Sequence, residues 1–150
     1  MPDKYYSRGT EWHPYLLDIL KVDENTVLIG HGTAGACIMR LLEDHKLRGA
    51  VLVGAASTDR NIELDRRSQY YNAKFDWECI KKNTGKFGIV QIHSPNDKLV
   101  PLENAKYFHE ELKTAWREVD KRGNFRQPTL PELVEEIETA HANGEFPTDD

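Results

Sequence analysis

Residues 26–35, TVLIGHGTAG, decide how the chain is read. Thr26 to Gly30 is an uncharged apolar run, the pattern of a strand buried on both faces. Small residues dominate the next few positions. A helical pattern then begins at Gly35, with Ile38, Leu41 and Leu42 on one face. A strand, a tight small-residue turn and a helix have the build of a nucleophile elbow, in which a strained turn lifts one side chain above the sheet. The usual pattern there is Gly-x-Ser-x-Gly, but the middle position here is Gly32, which has no side chain to attack with. The same residues also suit an ordinary strand-to-helix turn that needs small side chains.

Working outward, two further apolar runs read as strands, Ala50 to Gly54 (AVLVG) and Phe87 to His93 (FGIVQIH), with a weaker one at Ala115 to Val119. Helical patterns fill most of the rest. Thr10 to Leu20 sets Trp12, Leu16, Ile19 and Leu20 in register, with Pro14 tolerated only near the first turn. Asp76 to Asn83 has Asp76 as N-cap and Gly85 as stop, after a long polar loop. Leu102 to Lys113 carries Ala105, Phe108 and Leu112 on one stripe, and Pro131 opens a closing helix. This alternation calls for an α/β fold with a parallel sheet covered on both faces. Nothing divides the chain, so residues 1–150 read as one domain with loose ends at about 1–9 and 142–150.

At 150 residues the chain can bury roughly 70% of its unfolded surface, enough for one core. A net charge of −5 without a basic block argues against binding nucleic acid. No apolar stretch approaches membrane-spanning length, and the N-terminus lacks the apolar core of a signal peptide. Two cysteines, Cys37 and Cys79, make no disulfide framework. No cofactor or metal is expected, because the scattered histidines show no ligand spacing. A cytoplasmic location is expected, with the nucleus also open.

Functional groups in parallel sheets gather in loops leaving the carboxyl ends of the strands. Asp97, in HSPNDKLVP (93–101), suits the acid of a Ser-acid-His triad, which leaves a late strand in this manner; it equally suits a turn before a helix. The histidine should follow the last strand, where the sequence has Gly123-Asn124-Phe125. Thr33 lies one residue beyond the elbow position, and Cys37 reads as a small core residue.

In DENTVLIGHG, AGACIMR, AVLVGAASTD, SQYYNAKFDWECIKKN, HSPNDKLVP and the GNF before the last helix, the chain resembles the α/β-hydrolase family of retinoblastoma-binding protein nine and its bacterial relatives. The resemblance implies a partial α/β-hydrolase-like (Rossmann-like) sheet of about four strands, with the family's first strands missing. It puts the nucleophile position at Gly32, the acid at Asp97 and the histidine at Asn124, so only Asp97 is retained. His31 and Thr33 would border the site. Tyr70, Tyr71 and Trp77 would lie in a segment capping the pocket, either lining it for an apolar ligand or packing the cap. A family element that contacts retinoblastoma-type pocket proteins falls on Leu20, Val22 and Glu24, with Val22 in place of its cysteine. Missing first strands would leave residues 26–30 as a bare apolar edge open to a protein partner or a second copy.

Two functions follow. One is a degenerate, non-catalytic binding or interaction protein; the other is an active esterase or peptidase of the serine-hydrolase type. Losing the serine or histidine of a triad costs about 10⁶ in kcat in a well-studied protease, which favours the first.

Overall fold

The three apolar runs and the weaker fourth pair into one parallel sheet in the computed structural model, which describes residues 1–145. The strands are β1 (Val27–His31), β2 (Leu47–Val53), β3 (Thr84–His93) and β4 (Ala115–Glu118), in the spatial order β1-β2-β3-β4. Register runs from Val27 opposite Gly49 to His31 opposite Val53, and on to His93 opposite Glu118. Because every strand points the same way, the loops after His31, Val53, His93 and Glu118 all open at one end of the sheet. That end holds the candidate site.

Helices cover both faces. Alternation along β2 sends Ala50 and Leu52 to one side and Val51 and Val53 to the other. The first side packs against α2 (Thr33–Asp44), α4 (Trp77–Asn83) and α5 (Leu102–Leu112) through Met39, Leu42, Ile80 and Phe108. The second packs against α6 (Pro131–Ala142) through Ala140, with Leu133 and Ile137 partly buried. A bulge in β3, where Gly88 has φ 75°, shifts the phase so that Phe87 joins Val90 and Ile92 on the α6 side.

Several expectations are corrected. The first helix is not continuous: α1 runs Gly9–Pro14, and Tyr15–Ile19 is a wider π-type turn closed by Leu20 N–H to the Tyr15 carbonyl at 3.0 Å. Pro14 lies beyond the first turn, where it removes a helical donor and its ring crowds the preceding turn. Leu16 stays buried, but Ile19 and Leu20 are 64% and 53% exposed instead of sharing its register. The polar loop after β2 contains a short helix, α3 (Glu63–Ser68), with acidic residues in its first turn and arginines in its last. Gly85 does not stop α4. It lies inside β3, and α4 ends where the Thr84 hydroxyl and the Asn83 amide bond the carbonyls of Ile80 and Leu42. Within residues 1–9 Asp3 pairs with Arg8 at 2.7 Å, and Trp12 Nε1 donates to the Pro2 carbonyl at 2.7 Å. At the other end Glu145 N–H reaches the Ala140 carbonyl at 2.9 Å; residues 146–150 lie outside the described part. Among the described residues no helix is long and apolar enough to cross a membrane.

The segment over the first face is held by one side chain of α2. Arg40 donates to the carbonyls of Tyr70 (2.7 Å), Lys74 (3.1 Å) and Ala73, pairs with Glu43 at 2.6 Å, and lies 4.1 Å from the Phe75 ring centre. Arg40→Ala is expected to lower stability by about 2 kcal/mol, read by urea unfolding, and to deprotect the amides of residues 70–75 in hydrogen exchange. Arg40→Lys does not restore them, because an ammonium lacks the planar fork.

His13 donates from Nε2 to the Cys37 carbonyl at 3.0 Å and faces Tyr70, and burial holds its pKa below the ordinary 6.5. The unfolded imidazole therefore takes a proton that the folded one resists, so stability present above pH 6.5 is lost as pH falls below it. Thermal melts between pH 7 and 5 should show a shallower decline for His13→Gln than for the unmodified chain.

Candidate active site

Gly32, between the end of β1 at His31 and the start of α2 at Thr33, has φ 60° and ψ −124°, a backbone region nearly reserved for glycine. The turn is pinned on both sides. Gly32 N–H donates to the Val53 carbonyl at 3.1 Å, and its own carbonyl accepts from Gly35 at 3.1 Å. Close packing explains two of the surrounding small residues. A Cβ on Gly30 would come within 2.8 Å of the Ala34 backbone, and one on Gly35 within 2.5 Å of the Ala55 Cβ. A Cβ on Gly32 meets nothing within 4 Å. The turn thus projects its central position into open space.

Asp97 is 6% exposed, in the loop after β3. Its Oδ1 accepts from the N–H groups of Leu99 (2.8 Å) and Val100 (2.9 Å). Its Oδ2 accepts from Asn124 Nδ2 at 2.9 Å, across from the loop after β4. His31, immediately before Gly32, donates from Nε2 to the Asn124 carbonyl at 2.8 Å. Asn124 is therefore fixed by its amide to the acid and by its carbonyl to the end of β1. Gly54 leaves room for this meeting, since a Cβ there would come within 3.3 Å of Asp97 Oδ2 and 3.5 Å of Asn124 Nδ2.

Thr33 is turned away from this cluster and donates to Asp65 Oδ1 at 2.8 Å. Buried Asp65, on α3, is also paired with Arg60 at 2.5 Å, and Arg60 Nη1 reaches the Leu99 carbonyl at 3.0 Å. The elbow, the capping helix and the acid loop are thus tied through one carboxylate. Periodicity does not reveal Asp65, because α3 is only six residues long. The acidic first turn and basic last turn of ELDRRS were the available signal.

The aromatic residues divide. Tyr71 lines an open groove of about 640 Å³ with Phe75 and Tyr107, over a floor of Ser57 and Asn104 and beside Lys74. Its hydroxyl donates to the Ala56 carbonyl at 3.3 Å, and burial raises its pKa. Trp77 stands behind that wall, with its ring centre 5.1 Å from Phe75 and 5.5 Å from Tyr107. Tyr70 is 2% exposed in the core beside Cys37, where burial raises the pKa of both and carries the Cys37 thiol to about 11. Val22 packs against the same core, while Leu20 and Glu24 are exposed. Among the described residues no group of three or more His, Cys, Asp or Glu is arranged to hold a metal.

A parallel sheet with an elbow after an apolar strand, an acid after a later one and a last-strand loop reaching that acid is the frame of an α/β hydrolase. The chain belongs to the serine hydrolase family, whose sequence model matches residues 3–139. It is 30% identical over 139 residues to the serine hydrolase RBBP9 of Rattus norvegicus, covering 93% of this chain and 74% of that protein. Its fold matches the ydeN gene product of B. subtilis with a TM-score of 0.82 at 24% identity, over 95% of this chain and 80% of that one. It also matches the esterase domain of a Rhodothermus marinus protein with a TM-score of 0.66 at 13% identity, over 93% and 70% of the respective chains.

Because the space at Gly32 is open, a side chain there is opposed only by the backbone. Gly32→Ser is expected to lower stability by about 1–3 kcal/mol without loss of cooperativity in urea unfolding. A steric misfit would instead broaden the transition.

Proposed function

We propose that this chain is a non-catalytic member of the serine hydrolase family that acts by binding rather than by turnover. Gly32 carries this reading: it stands at the centre of an elbow turn and supplies neither hydroxyl nor thiol. The partner of Asp97 points the same way. An imidazole in the place of Asn124 would take the nucleophile's proton and pass it to the leaving group. The Asn124 amide donates to Asp97 but has no basic nitrogen, so it keeps the loop geometry without the proton relay. The ligand suited to the adjoining groove is apolar or aromatic, held by Tyr71, Phe75 and Tyr107 and steered by Lys74 at the wall.

The second reading, an active esterase or peptidase, is favoured by the serine hydrolase named among the relatives. It requires a nucleophile from elsewhere. Ser57 is engaged with Asn104 Oδ1 at 3.0 Å and Ser94 with Asn96 Oδ1 at 2.7 Å, so each hydroxyl donates to an amide oxygen rather than to an imidazole base.

Incubation with a fluorophosphonate probe followed by intact-mass measurement separates the two. The unmodified chain is expected to stay unlabelled, while the Gly32→Ser/Asn124→His double variant acquires one label. Stoichiometric labelling of the unmodified chain that disappears in Asp97→Ala would establish the enzyme reading instead.

A further inference from the structure

The groove beside the cap carries more chemistry than its apolar wall. Residues 57–107 supply all of it: the loop after β2 and Asn104 form the floor, residues 71–75 of the cap form one side, and the first turns of α5 form the other. Lys74 stands on the cap side and Glu103 on the α5 side. Both are exposed, and among the described residues neither side chain is held in an ion pair, with the other or with anything else. The remaining charge of the groove, Asp59, is taken up by Arg66 at 3.2 Å. A free cation and a free anion thus stand on opposite sides of one space, with the rings of Tyr71, Phe75 and Tyr107 between them.

Hydrogen bonding at the floor is one-sided. Ser57 Oγ donates to Asn104 Oδ1 at 3.0 Å, and the same oxygen accepts from Ser57 N–H at 2.8 Å, so both of its lone pairs are used. The Tyr71 hydroxyl reaches the floor at the Ala56 carbonyl. With their protons committed, Ser57 and Tyr71 can only accept from a ligand. Acceptors and the Glu103 carboxylate beside the exposed Tyr107 ring favour an ammonium group, which the face of a tyrosine also attracts. The Lys74 ammonium on the other side favours an anion.

We infer that the groove takes a dipolar ligand, an aromatic or apolar body with an ammonium group at one end for Glu103 and an anionic group at the other for Lys74. The inference rests on the groove being a binding site, as proposed above, and adds the charges of its occupant. Protein charges on opposite sides call for ligand charges held apart by the body between them. A compact α-amino zwitterion, with its two charges on neighbouring atoms, reaches only one side. A ligand of single charge leaves the other protein charge unanswered. The space of about 640 Å³ accommodates a ring between the two ends.

Amide chemical-shift titration of the full chain with para-(aminomethyl)benzoate tests this, beside para-methylbenzylamine, para-methylbenzoate and the uncharged para-methylbenzyl alcohol. The dipolar probe is expected to bind with a dissociation constant on the order of 1 mM, and each of the others about tenfold more weakly. The shifted amides should be those of residues 57–59, 71–75 and 103–107. Single charge reversals should change the probe preferred: Lys74→Glu loses the dipolar probe and takes para-xylylenediamine, while Glu103→Lys loses it and takes terephthalate. The double variant should recover the dipolar probe, because such a ligand can turn round. Both positions are exposed, so the melting profiles should stay close to that of the unmodified chain. Equal binding of the charged and uncharged probes would overturn the dipolar inference and leave an apolar groove. Binding of none would overturn the groove as a ligand site as well. Charge reversals without effect, or a double variant that fails to recover the dipolar probe, would likewise overturn the inference.

Discussion

The turn at Gly32 fixes the geometry on which the rest of the structure depends. One residue at φ 60° and ψ −124° reverses the chain from β1 into α2, and Gly32 N–H locks that reversal to β2 through Val53. Glycines at 30 and 35 let the helix approach the sheet closely enough for Ala55 to touch it. With α2 seated there, Arg40 reaches out to gather the carbonyls of residues 70–74, and Thr33 reaches Asp65. The cap, the groove beside it and the acid loop all take their places from that short stretch of backbone.

A side chain at such a turn stores strain, and in an enzyme that strain is repaid in catalysis. Glycine holds the same path without the strain, so the turn forms more easily with Gly32 at its centre. Asp97 has a structural task of its own. It receives two backbone N–H groups that shape the 97–100 loop and an amide that ties the last loop to it. His31 closes the ring by holding the Asn124 carbonyl. These contacts account for Asp97 and Asn124 by folding alone.

The strands were legible because buried parallel strands are near-continuous apolar runs: VLIG and AVLV are such runs, and IVQI is broken only by Gln91, whose amide donates to the Ala105 carbonyl and the Thr114 hydroxyl. The stripe of α5 and the closing helix at Pro131 were legible from spacing and cap chemistry. The π-type turn was not, because periodicity assumes an unbroken helix and Pro14 changes its pitch. Neither was α3, too short for a periodic pattern and polar at every position but Leu64. Within the site, Gly32, Asp97 and Asn124 could be proposed from their order along the chain and from the resemblance. The Asp97–Asn124 bond spans 27 residues and the Thr33–Asp65 bond 32, and no local pattern encodes contacts of that range. Tyr70 and Tyr71 show the same limit. They are adjacent in sequence, yet one enters the core beside Cys37 and the other lines the groove.

We propose that the hydrolase frame persists here without hydrolase chemistry. Steady-state hydrolysis of p-nitrophenyl butyrate by the unmodified chain, set beside Asp97→Ala, tests it most directly. The account predicts that both run at the buffer rate with no saturation. Saturable turnover by the unmodified chain, lost in Asp97→Ala, would contradict it.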